Sequence, residues 1–271
     1  MDHQELTRPS ARLTGMIAAA RAAGDGLKQD FLISGSLEIR HKLGLADPFT
    51  AADLRAEETV RRHLREAEPS YGFLGEEGGL TEGADRSHIW IVDPLDGTAN
   101  FLAGIPLFAV NIALARDGEV IAGVTHVPMM DETFWAEQAA GAHLNGQPIR
   151  VSSRQGMIHA ILGVGIPFAG KPRHDQFVVE MDRLTARVGG IRRLGAGAVD
   201  MGYVACGRFD AYWEQSVSAW DMAAGAVIVR EAGGVVTGTE GQPLDLMAGT
   251  VLASTPQLHG EMLAALTPID R

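Results

Sequence analysis

Two apolar segments joined by the dipeptide Asp117-Gly118 constrain the fold more than any other part of the sequence. Residues 107–116 and 119–128 are rich in Val, Ile and Leu, which suits buried β-strands. An Asp-Gly pair between two such segments is typical of the tight turn of a β-hairpin, because Gly readily adopts the left-handed backbone that this turn needs. The sequence therefore predicts two neighbouring antiparallel strands, and with them an antiparallel sheet.

The rest of the first half, to about residue 155, extends this antiparallel pattern and adds helices. Apolar residues at helical spacing predict helices, and short apolar runs predict strands. Pro69 ends the second predicted helix, and Asn145-Gly146 predicts a further turn. The predicted elements are helices at about 10–32 and 50–69, and strands before Glu76, at 88–93 and within 132–152.

The second half, from about residue 156, alternates between strand and helix patterns, as α/β proteins do. Its predicted strands lie at 159–165, 191–195, 210–215 and 250–254, and its predicted helices at 175–188, 198–209, 219–234 and 256–265. An antiparallel, helix-flanked half followed by an alternating half predicts a layered α/β sandwich. No repeat or low-complexity linker divides the chain, so we expect residues 1–271 to form one domain.

Composition and charge argue against several classes of protein. Hydrophobic residues make up 46% of the chain and charged residues 21%, which is typical of a soluble globular protein. The net charge of −11 argues against non-specific nucleic-acid binding, which depends on basic surface. The single cysteine, Cys206, excludes an internal disulfide and a cysteine-based zinc site. We see no signal peptide and no membrane span, so a cytoplasmic location is expected.

An apolar strand in the segment WIVDPLDGTANF, residues 90–101, ends in two closely spaced acids, Asp93 and Asp96. Two carboxylates so close repel each other unless positive charge lies between them. Gly97 and Thr98 add backbone N–H groups and a hydroxyl, which suit the binding of an anion. Carboxylates beside an anion site make electrostatic sense with divalent cations between them. Hard oxygen ligands favour Mg²⁺ or Mn²⁺ over zinc.

Two further acidic sites are candidates to complete this cluster. Glu76 and Glu77 follow an apolar strand and precede paired glycines, and Asp221 lies at the start of a strongly apolar helix. Each site also has a simpler interpretation. Acids between a strand and glycines are most often solvated turn residues, and an Asp at the start of a helix is most often its N-cap. Both interpretations stay open on these residues alone.

Three motifs, in this order along the chain, resemble the signature of the inositol monophosphatase family: GEE at 75–77, WIVDPLDGTANF at 90–101 and AWDMAAGAVIVREAGG at 219–234. The similarity extends to DPFTAAD at 47–53 and to RRLGAGAVDMGYVACGRFDAYWE at 192–214, and so covers nearly the whole chain. The resemblance implies the αβαβα sandwich of the inositol monophosphatase and fructose-1,6-bisphosphatase-like fold. It also implies a metal-dependent phosphomonoesterase.

The resemblance assigns metal-binding and catalytic roles to individual residues. It implies that Thr98 orients the attacking water, that Glu76 acts as the base, and that Asp96 also takes part in catalysis. Asp53 matches an acid near a weaker third metal, although the helix dipole explains an acid at this position equally well. Lys42 loosely matches a basic residue near that third site. The implied ligands of two or three Mg²⁺ ions, or of Mn²⁺, are the carboxylates of Glu76, Asp93, Asp96 and Asp221 and the backbone carbonyl of Leu95.

The resemblance also assigns residues to the substrate. Gly97 and Thr98 are expected to bind the phosphate. Family members often carry Thr or Ser at position 196, so Ala196 lacks one hydroxyl contact, and this bears on the identity of the substrate. Arg192 is a further candidate for a substrate contact, with Arg193 as the alternative. The other implied contacts to the substrate are Gly195, Ala196, Gly197, Glu214 and Asp221.

The implied reaction is hydrolysis of a phosphate monoester by direct attack of water that two metal ions activate. Inositol 1-phosphate is the first substrate to consider, followed by histidinol phosphate and then by sugar phosphates in general. The family also implies inhibition by Li⁺ and a homodimer. From a different class of function, the chain could be an interaction protein such as an RNA-polymerase-associated factor, because a bacterial relative has such a role. Direct contact with nucleic acid or with a membrane is not expected.

Overall fold

The computed structural model describes residues 8–33, 39–41 and 48–267, so Lys42 lies outside the described residues. None of the helices in these ranges is long and apolar enough to cross a lipid bilayer. The helices are α1 (Ala11–Ile33), α2 (Ala51–Ala67), α3 (Thr98–Leu102), α4 (His174–Thr185), α5 (Gly197–Ala205), α6 (Ala219–Glu231) and α7 (His259–Leu266). The strands are β1 (Ile39–His41), β2 (Pro48–Thr50), β3 (Tyr71–Gly75), β4 (Gly79–Thr81), β5 (Asp85–Asp96), β6 (Ala109–Arg116), β7 (Glu119–Val127), β8 (Glu132–Glu137), β9 (Ala142–Leu144), β10 (Gln147–Ile149), β11 (Ile161–Val164), β12 (Gly190–Arg192), β13 (Ala211–Gln215), β14 (Val235–Thr237) and β15 (Thr250–Ser254).

The larger sheet has eight strands in the order β10-β9-β8-β7-β6-β5-β3-β4. Its neighbouring strands pair antiparallel, except β3 and β5, which are parallel. Asp117 and Gly118 connect β6 to β7 with φ angles of 51° and 84°, the left-handed backbone that a tight hairpin turn requires. Asn145 and Gly146 connect β9 to β10 in the same way, with φ angles of 50° and 81°. Both predicted hairpins are therefore confirmed.

The smaller sheet has five strands in the order β12-β11-β13-β15-β14. Strand β11 pairs in parallel with β12 and β13, whereas β15 pairs antiparallel with β13 and β14. Helices α4, α5 and α6 lie between successive strands along this part of the chain. The alternation of strand and helix predicted for the second half is therefore confirmed.

Helices and sheets stack in five layers. Helices α1 and α2 pack on one face of the larger sheet around a core that includes Leu13, Val60 and Ile112. Helices α5 and α6 lie between the two sheets and contact strands of both. Helices α4 and α7 pack against each other on the remaining face of the smaller sheet, around Leu162 and Trp213. The predicted αβαβα sandwich is confirmed.

Strand β5 is longer than the predicted strand at 88–93, because it begins at Asp85 and continues to Asp96. Its pairing with β6 changes register between Asp93 and Asp96. Pro94 lies at this point and has no N–H group to donate to the neighbouring strand. The two acids therefore lie on an irregular strand end, and not in a turn that follows a regular strand.

Gly123 allows α6 to pack directly on β7. A Cβ atom at residue 123 would lie 2.7 Å from the backbone oxygen of Ala224 and 2.8 Å from its Cα. These atoms belong to a helix buried between two sheets, so they cannot move aside unless the whole helix moves. We expect Gly123→Ala to lower the free energy of unfolding by about 1–3 kcal/mol, measured by urea denaturation.

Gly26→Ala is the control for this substitution. Residue 26 is exposed on α1, and no atom beyond its own helix lies within 4 Å of an added Cβ. Ala at this position should raise the free energy of unfolding by about 0.5–1 kcal/mol, because Ala is the better helix former. A Gly123→Ala variant as stable as the wild-type protein would contradict the close packing of α6 on β7.

Candidate active site

The irregular end of β5 positions Asp93 and Asp96 through different partners. Asp93 is buried, with 1% of its surface exposed, and its Oδ1 accepts a hydrogen bond of 2.9 Å from the N–H of Leu95. Asp96 Oδ2 accepts a hydrogen bond of 2.7 Å from the N–H of Ala198, in the first turn of α5. Asp93 is thus held by its own loop, whereas Asp96 is hydrogen-bonded to α5, which lies between the two sheets.

Glu76 lies beside Asp93 because β3 and β5 are parallel and end at the same edge of the sheet. The N–H of Glu76 donates to the carbonyl of Val92, at 3.1 Å, directly before Asp93. The next two N–H groups, of Glu77 and Gly78, donate to the carboxylate of Glu57 on α2, at 2.8 and 3.0 Å. Glu57 therefore holds the turn that carries Glu76.

Sequence reasoning did not assign a role to Glu57. Only 5% of its surface is exposed, and Arg61, one helical turn later, donates to its Oε1 at 2.9 Å. A glutamate on the apolar face of a helix, with an arginine four residues later, is the signal that could have identified it.

Asp221 lies in the first turn of α6, three residues after Ser218, which is the N-cap. Its Oδ2 accepts a hydrogen bond of 2.7 Å from the N–H of Ser218, as in a capping box. Asn111 on β6 donates to the carbonyls of Trp220 and Asp221, at 2.6 and 3.2 Å, and so ties the start of α6 to the larger sheet. Asp221 therefore caps its helix and also lies near the other acids.

The acids of this cluster raise one another's pKa values. Burial raises the pKa of Asp93 well above its ordinary value, and the nearby charges of Glu76, Asp96 and Asp221 raise it further. Burial also raises the pKa of Asp96, with the charge of Asp221 as the next cause. Burial and the charge of Glu76 raise the pKa of Asp221 from 3.8 to about 7. The side chain of Asp93 is within hydrogen-bonding distance of both Glu76 and Asp221, so three carboxyl groups from three segments of the chain meet here.

Thr98 connects Leu95 to Asp53. Its hydroxyl lies 3.0 Å from the carbonyl oxygen of Leu95 and 3.3 Å from Oδ1 of Asp53, in the first turn of α2. A hydroxyl has one hydrogen to donate, so the two acceptors compete for it. Asp53 is 1% exposed and is thus a buried neighbour of the cluster.

Gly97 allows the loop after β5 to approach the segment before α5. Its φ angle is 93°, and an added Cβ would lie 3.2 Å from Cβ of Ala196 and 3.3 Å from the carbonyl oxygen of Gly195. Asn100 supports the same approach, because its side-chain amide donates to the carbonyls of Leu107 and Leu194, at 2.8 and 2.9 Å. The motif at 90–101 and the segment at 194–197 are thereby brought together.

A cavity of about 250 Å³ opens between the acid cluster and the second half of the chain. Glu76, Asp93, Leu95 and Asp53 do not form its walls, so most of the predicted metal-binding set lies beside or beneath it. Its walls include the predicted residues Asp96, Gly97, Thr98, Gly195, Ala196, Gly197, Glu214 and Asp221.

Arg192 does not line this cavity, and Arg193 does. Arg192 is exposed at the end of β12, an edge strand, and its guanidinium donates to the carbonyl of Ile191 at 3.1 Å. Neighbouring residues of an extended segment project to opposite sides, so one of two adjacent arginines reaches a given cavity. The structure therefore places Arg193 at the cavity and Arg192 away from it, a difference that the sequence alone could not give.

Two further buried polar residues of this region were not identified from the sequence. The hydroxyl of Tyr212 donates to the carboxylate of Glu214, and both residues lie on β13. Asp200, in the first turn of α5, lines the cavity and is 1% exposed. Burial raises the pKa of Asp200 well above its ordinary value, and the nearby charge of Asp96 contributes further. Burial also raises the pKa of Glu214, whereas the hydrogen bond from Tyr212 lowers it.

Comparison with known proteins identifies the family of this chain. Residues 9–270 match the description "Inositol monophosphatase family". The chain belongs to the inositol monophosphatase family. Membership of this family makes it a phosphoric monoester hydrolase. The family resemblance read from the three motifs is thus confirmed.

Individual relatives of this family member carry two kinds of name. A protein of Caulobacter vibrioides named "Inositol-1-monophosphatase" is 48% identical over 254 residues, which cover 93% of this chain and 99% of the relative. A protein of Pseudomonas aeruginosa named "Nus factor SuhB" is 38% identical over 256 residues, which cover 93% of this chain and 94% of the relative. The crystal structure of extragenic suppressor protein suhB from Bartonella henselae superposes with a TM-score of 0.92 at 41% identity, covering 95% of this chain and 99% of that one.

The raised pKa of Asp221 predicts a pH dependence of stability in the presence of a chelator. The folded protein holds this proton up to about pH 7, whereas the unfolded chain releases it near pH 3.8. The stability contributed by the proton is therefore fully present below about pH 3.8 and is lost progressively as the pH rises to about 7. The last part of this loss falls between pH 6.5 and about pH 7.5, so we expect the melting temperature to fall over that interval, measured by calorimetry.

Asp221→Asn is the matched variant for this measurement, because an amide neither carries the charge nor titrates. Its melting temperature should fall less steeply over the same pH range. Buried His126 and His143 and half-buried His259 have lowered pKa values and act in the opposite direction, but mainly below about pH 6.5. Parallel curves for the two proteins would contradict the raised pKa of Asp221.

Proposed function

We propose that this protein hydrolyses inositol 1-phosphate to inositol and phosphate with the help of Mg²⁺. The observation that carries this proposal is a cavity whose lining combines two chemically different groups of residues. It includes Asp96 and Asp221 of the acid cluster, and also Glu214 with the segment Gly195, Ala196 and Gly197. We infer that the first group forms a side that suits a phosphate held by cations, and that the second group forms a side that suits a polyhydroxylated leaving group.

The donor set fits hard divalent cations. Carboxylates of Glu76, Asp93, Asp96 and Asp221 and the carbonyl of Leu95 supply oxygen ligands, which Mg²⁺ and Mn²⁺ prefer. In the described part of the chain, no three acidic, histidine or cysteine side chains already stand around one point as metal ligands do. The carboxyl group of Asp93 instead lies within hydrogen-bonding distance of Glu76 and Asp221. We infer that two or three cations replace the protons of this cluster, with Asp53 near the third.

Several side chains have roles that follow from their positions. Bound Mg²⁺ would supply Lewis-acid activation of water and would neutralise charge on the phosphoryl group. Thr98 orients the attacking water through its hydroxyl, and Glu76 accepts the proton from it. Backbone N–H groups of Gly97 and Thr98 bind the phosphate oxygens. The hydrogen bond from the N–H of Ala198 to Asp96 holds the end of β5 at a fixed distance from the start of α5 and from the residues 195–197 before it.

The second side of the cavity supports a polyol over other leaving groups. Glu214 can accept a hydrogen bond from a substrate hydroxyl, and Tyr212 holds its carboxylate in place. Arg193 lines the same cavity and can donate hydrogen bonds to the hydroxyl oxygens of a polyol. Histidinol phosphate and sugar phosphates in general are therefore the alternative substrates, ranked after inositol 1-phosphate.

The deciding experiment measures phosphate release from a panel of monoesters with and without Mg²⁺. The panel contains inositol 1-phosphate, histidinol phosphate, fructose 1,6-bisphosphate and a 3′-phosphonucleotide. We expect inositol 1-phosphate to have the highest kcat/KM, and we expect a chelator to abolish turnover. A higher kcat/KM for histidinol phosphate would replace the proposed substrate, and turnover without any divalent cation would overturn the proposed mechanism.

Asp93→Asn is the matched inactive variant for this panel. Asn keeps an oxygen that can accept the hydrogen bond from Leu95 but lacks the negative charge needed to bridge cations. We expect its turnover to fall below about a tenth of the wild-type rate, with the circular dichroism spectrum unchanged.

A second function is favoured by the names of several relatives, which include "Nus factor SuhB" of Pseudomonas aeruginosa at 38% identity. We propose, as the alternative, that the chain binds RNA polymerase or an associated protein. Affinity purification of tagged Asp93→Asn protein from its own cells tests this role separately from catalysis. Recovery of RNA polymerase subunits in stoichiometric amounts supports it, and their absence leaves the enzyme as the function. The expected homodimer, Li⁺ inhibition and cytoplasmic location stay proposals.

A further inference from the structure

Asp200 is a buried acid in the cavity wall, and the hydrogen bonds of the described residues do not explain why an acid lies there. It lies in the first turn of α5, is 1% exposed and borders the cavity. Its Oδ1 has no hydrogen-bond partner among the described residues. A buried carboxyl group costs free energy when it is not fully hydrogen-bonded, and Asp200 pays this cost at the border of the cavity, where a bound molecule could supply a partner.

A structural role at the start of the helix does not explain Asp200. The N-cap of α5 is Ala196, and no side chain caps this helix end. Asp210, by contrast, is a buried acid with a clear structural role. Its Oδ2 accepts hydrogen bonds from Arg154 at 2.9 Å and from the N–H of Ile161 at 2.7 Å, although its Oδ1, like that of Asp200, has no partner among the described residues. Asp200 differs from Asp210 because it borders the cavity and has no ion pair with an arginine in the described part of the chain.

Glycines make the space in which the polar side chains of this wall lie. A Cβ at residue 163 would lie 2.5 Å from Oδ1 of Asp200. A Cβ at residue 165 would lie 1.9 Å from the carboxyl carbon of Glu214, and one at residue 197 would lie 2.6 Å from the hydroxyl of Tyr212. Any larger residue at these positions would displace the polar groups. The wall is thus built to hold two acids next to the cavity.

The chemistry of the wall identifies the kind of group that Asp200 receives. Ala196 offers only a methyl group, so the wall lacks a hydroxyl at that position. Arg193 lines the same cavity, and its charge acts on Asp200 and Glu214, so it offsets part of their attraction for a cation. A neutral hydroxyl can donate a hydrogen bond to a carboxyl oxygen and accept one from the guanidinium.

We propose that Asp200 binds a hydroxyl group of the leaving alcohol and, together with Glu214, makes the cavity selective for polyhydroxylated phosphate monoesters. This inference rests on the proposed phosphatase function and adds a specificity-determining residue to it. It differs from a structural role in one measurable respect. Loss of the contact affects substrates that carry hydroxyl groups on the leaving alcohol more than substrates that lack them.

The test compares two substrates in wild-type protein, Asp200→Ala and Asp200→Asn, each with saturating Mg²⁺. Inositol 1-phosphate carries hydroxyl groups on its leaving alcohol, whereas p-nitrophenyl phosphate carries none. We expect Asp200→Ala to lower kcat/KM for inositol 1-phosphate at least about tenfold more than kcat/KM for p-nitrophenyl phosphate. Asp200→Asn should recover part of this loss, because its amide can still exchange a hydrogen bond with a hydroxyl.

Asp210→Asn is the control for the loss of a buried carboxylate outside the cavity. It should lower the melting temperature and leave the ratio of the two kcat/KM values unchanged. An unchanged ratio in both Asp200 variants would overturn the inference, and so would an equal change in the ratio of Asp210→Asn.

A variant that fails to fold does not prevent the test. If Asp200→Ala is unstable, Asp200→Asn is assayed with inositol 1-phosphate and its singly deoxygenated analogues. Removal of the contacted hydroxyl should then lower kcat/KM less in Asp200→Asn than in the wild-type protein, because the hydroxyl and the carboxyl group are coupled. If removal of each hydroxyl lowered kcat/KM by the same factor in both proteins, the role of Asp200 would be overturned. Wild-type protein that leaves inositol 1-phosphate intact would instead overturn the proposed function itself.

Discussion

Mutual repulsion among carboxylates is the constraint on which the rest of this structure depends. Glu76, Asp93, Asp96 and Asp221 come from three separate segments of the chain, and burial makes their charges costly. The raised pKa values of Asp93, Asp96 and Asp221 express this cost, because each of the three aspartates holds its proton more firmly than an exposed one does. A site of this kind is assembled only if the remaining fold is rigid enough to hold the acids together against that repulsion.

The fold supplies this rigidity through partners that lie behind the acids. Glu57 holds the turn of Glu76, and Asn111 holds the start of α6 next to Asp221. Asp96 bonds to the first turn of α5, and Asn100 ties its own loop to the segment before that helix. Each supporting residue and the group that it holds lie in different layers of the sandwich or in distant parts of the chain. The stability of the layers and the geometry of the site are therefore linked.

The sequence predicted the elements that depend on local physics. The hairpin at Asp117-Gly118 follows from the backbone preference of two residues, and the alternating second half follows from periodicity. The predictions were less accurate where a feature depends on a contact with a distant part of the chain. The bounds of β5 depend on its pairing with β6 through the irregularity at Pro94. The choice between Arg192 and Arg193 depends on where an edge strand ends relative to the cavity, which no local pattern encodes.

The sequence by itself determined the chemistry of the protein: its acidic motifs, the order of its helices and strands, and its family. Only the tertiary structure decided which side chains support that chemistry. Glu57 lies outside the motifs, and Asp200 and Tyr212 lie in the segment 192–214 without a role that the residue pattern reveals, because the importance of all three comes from burial beside other polar groups. Residue types and their spacing record local propensity and ligand preference. Burial, electrostatic coupling and shared hydrogen bonds arise only when separate segments pack together.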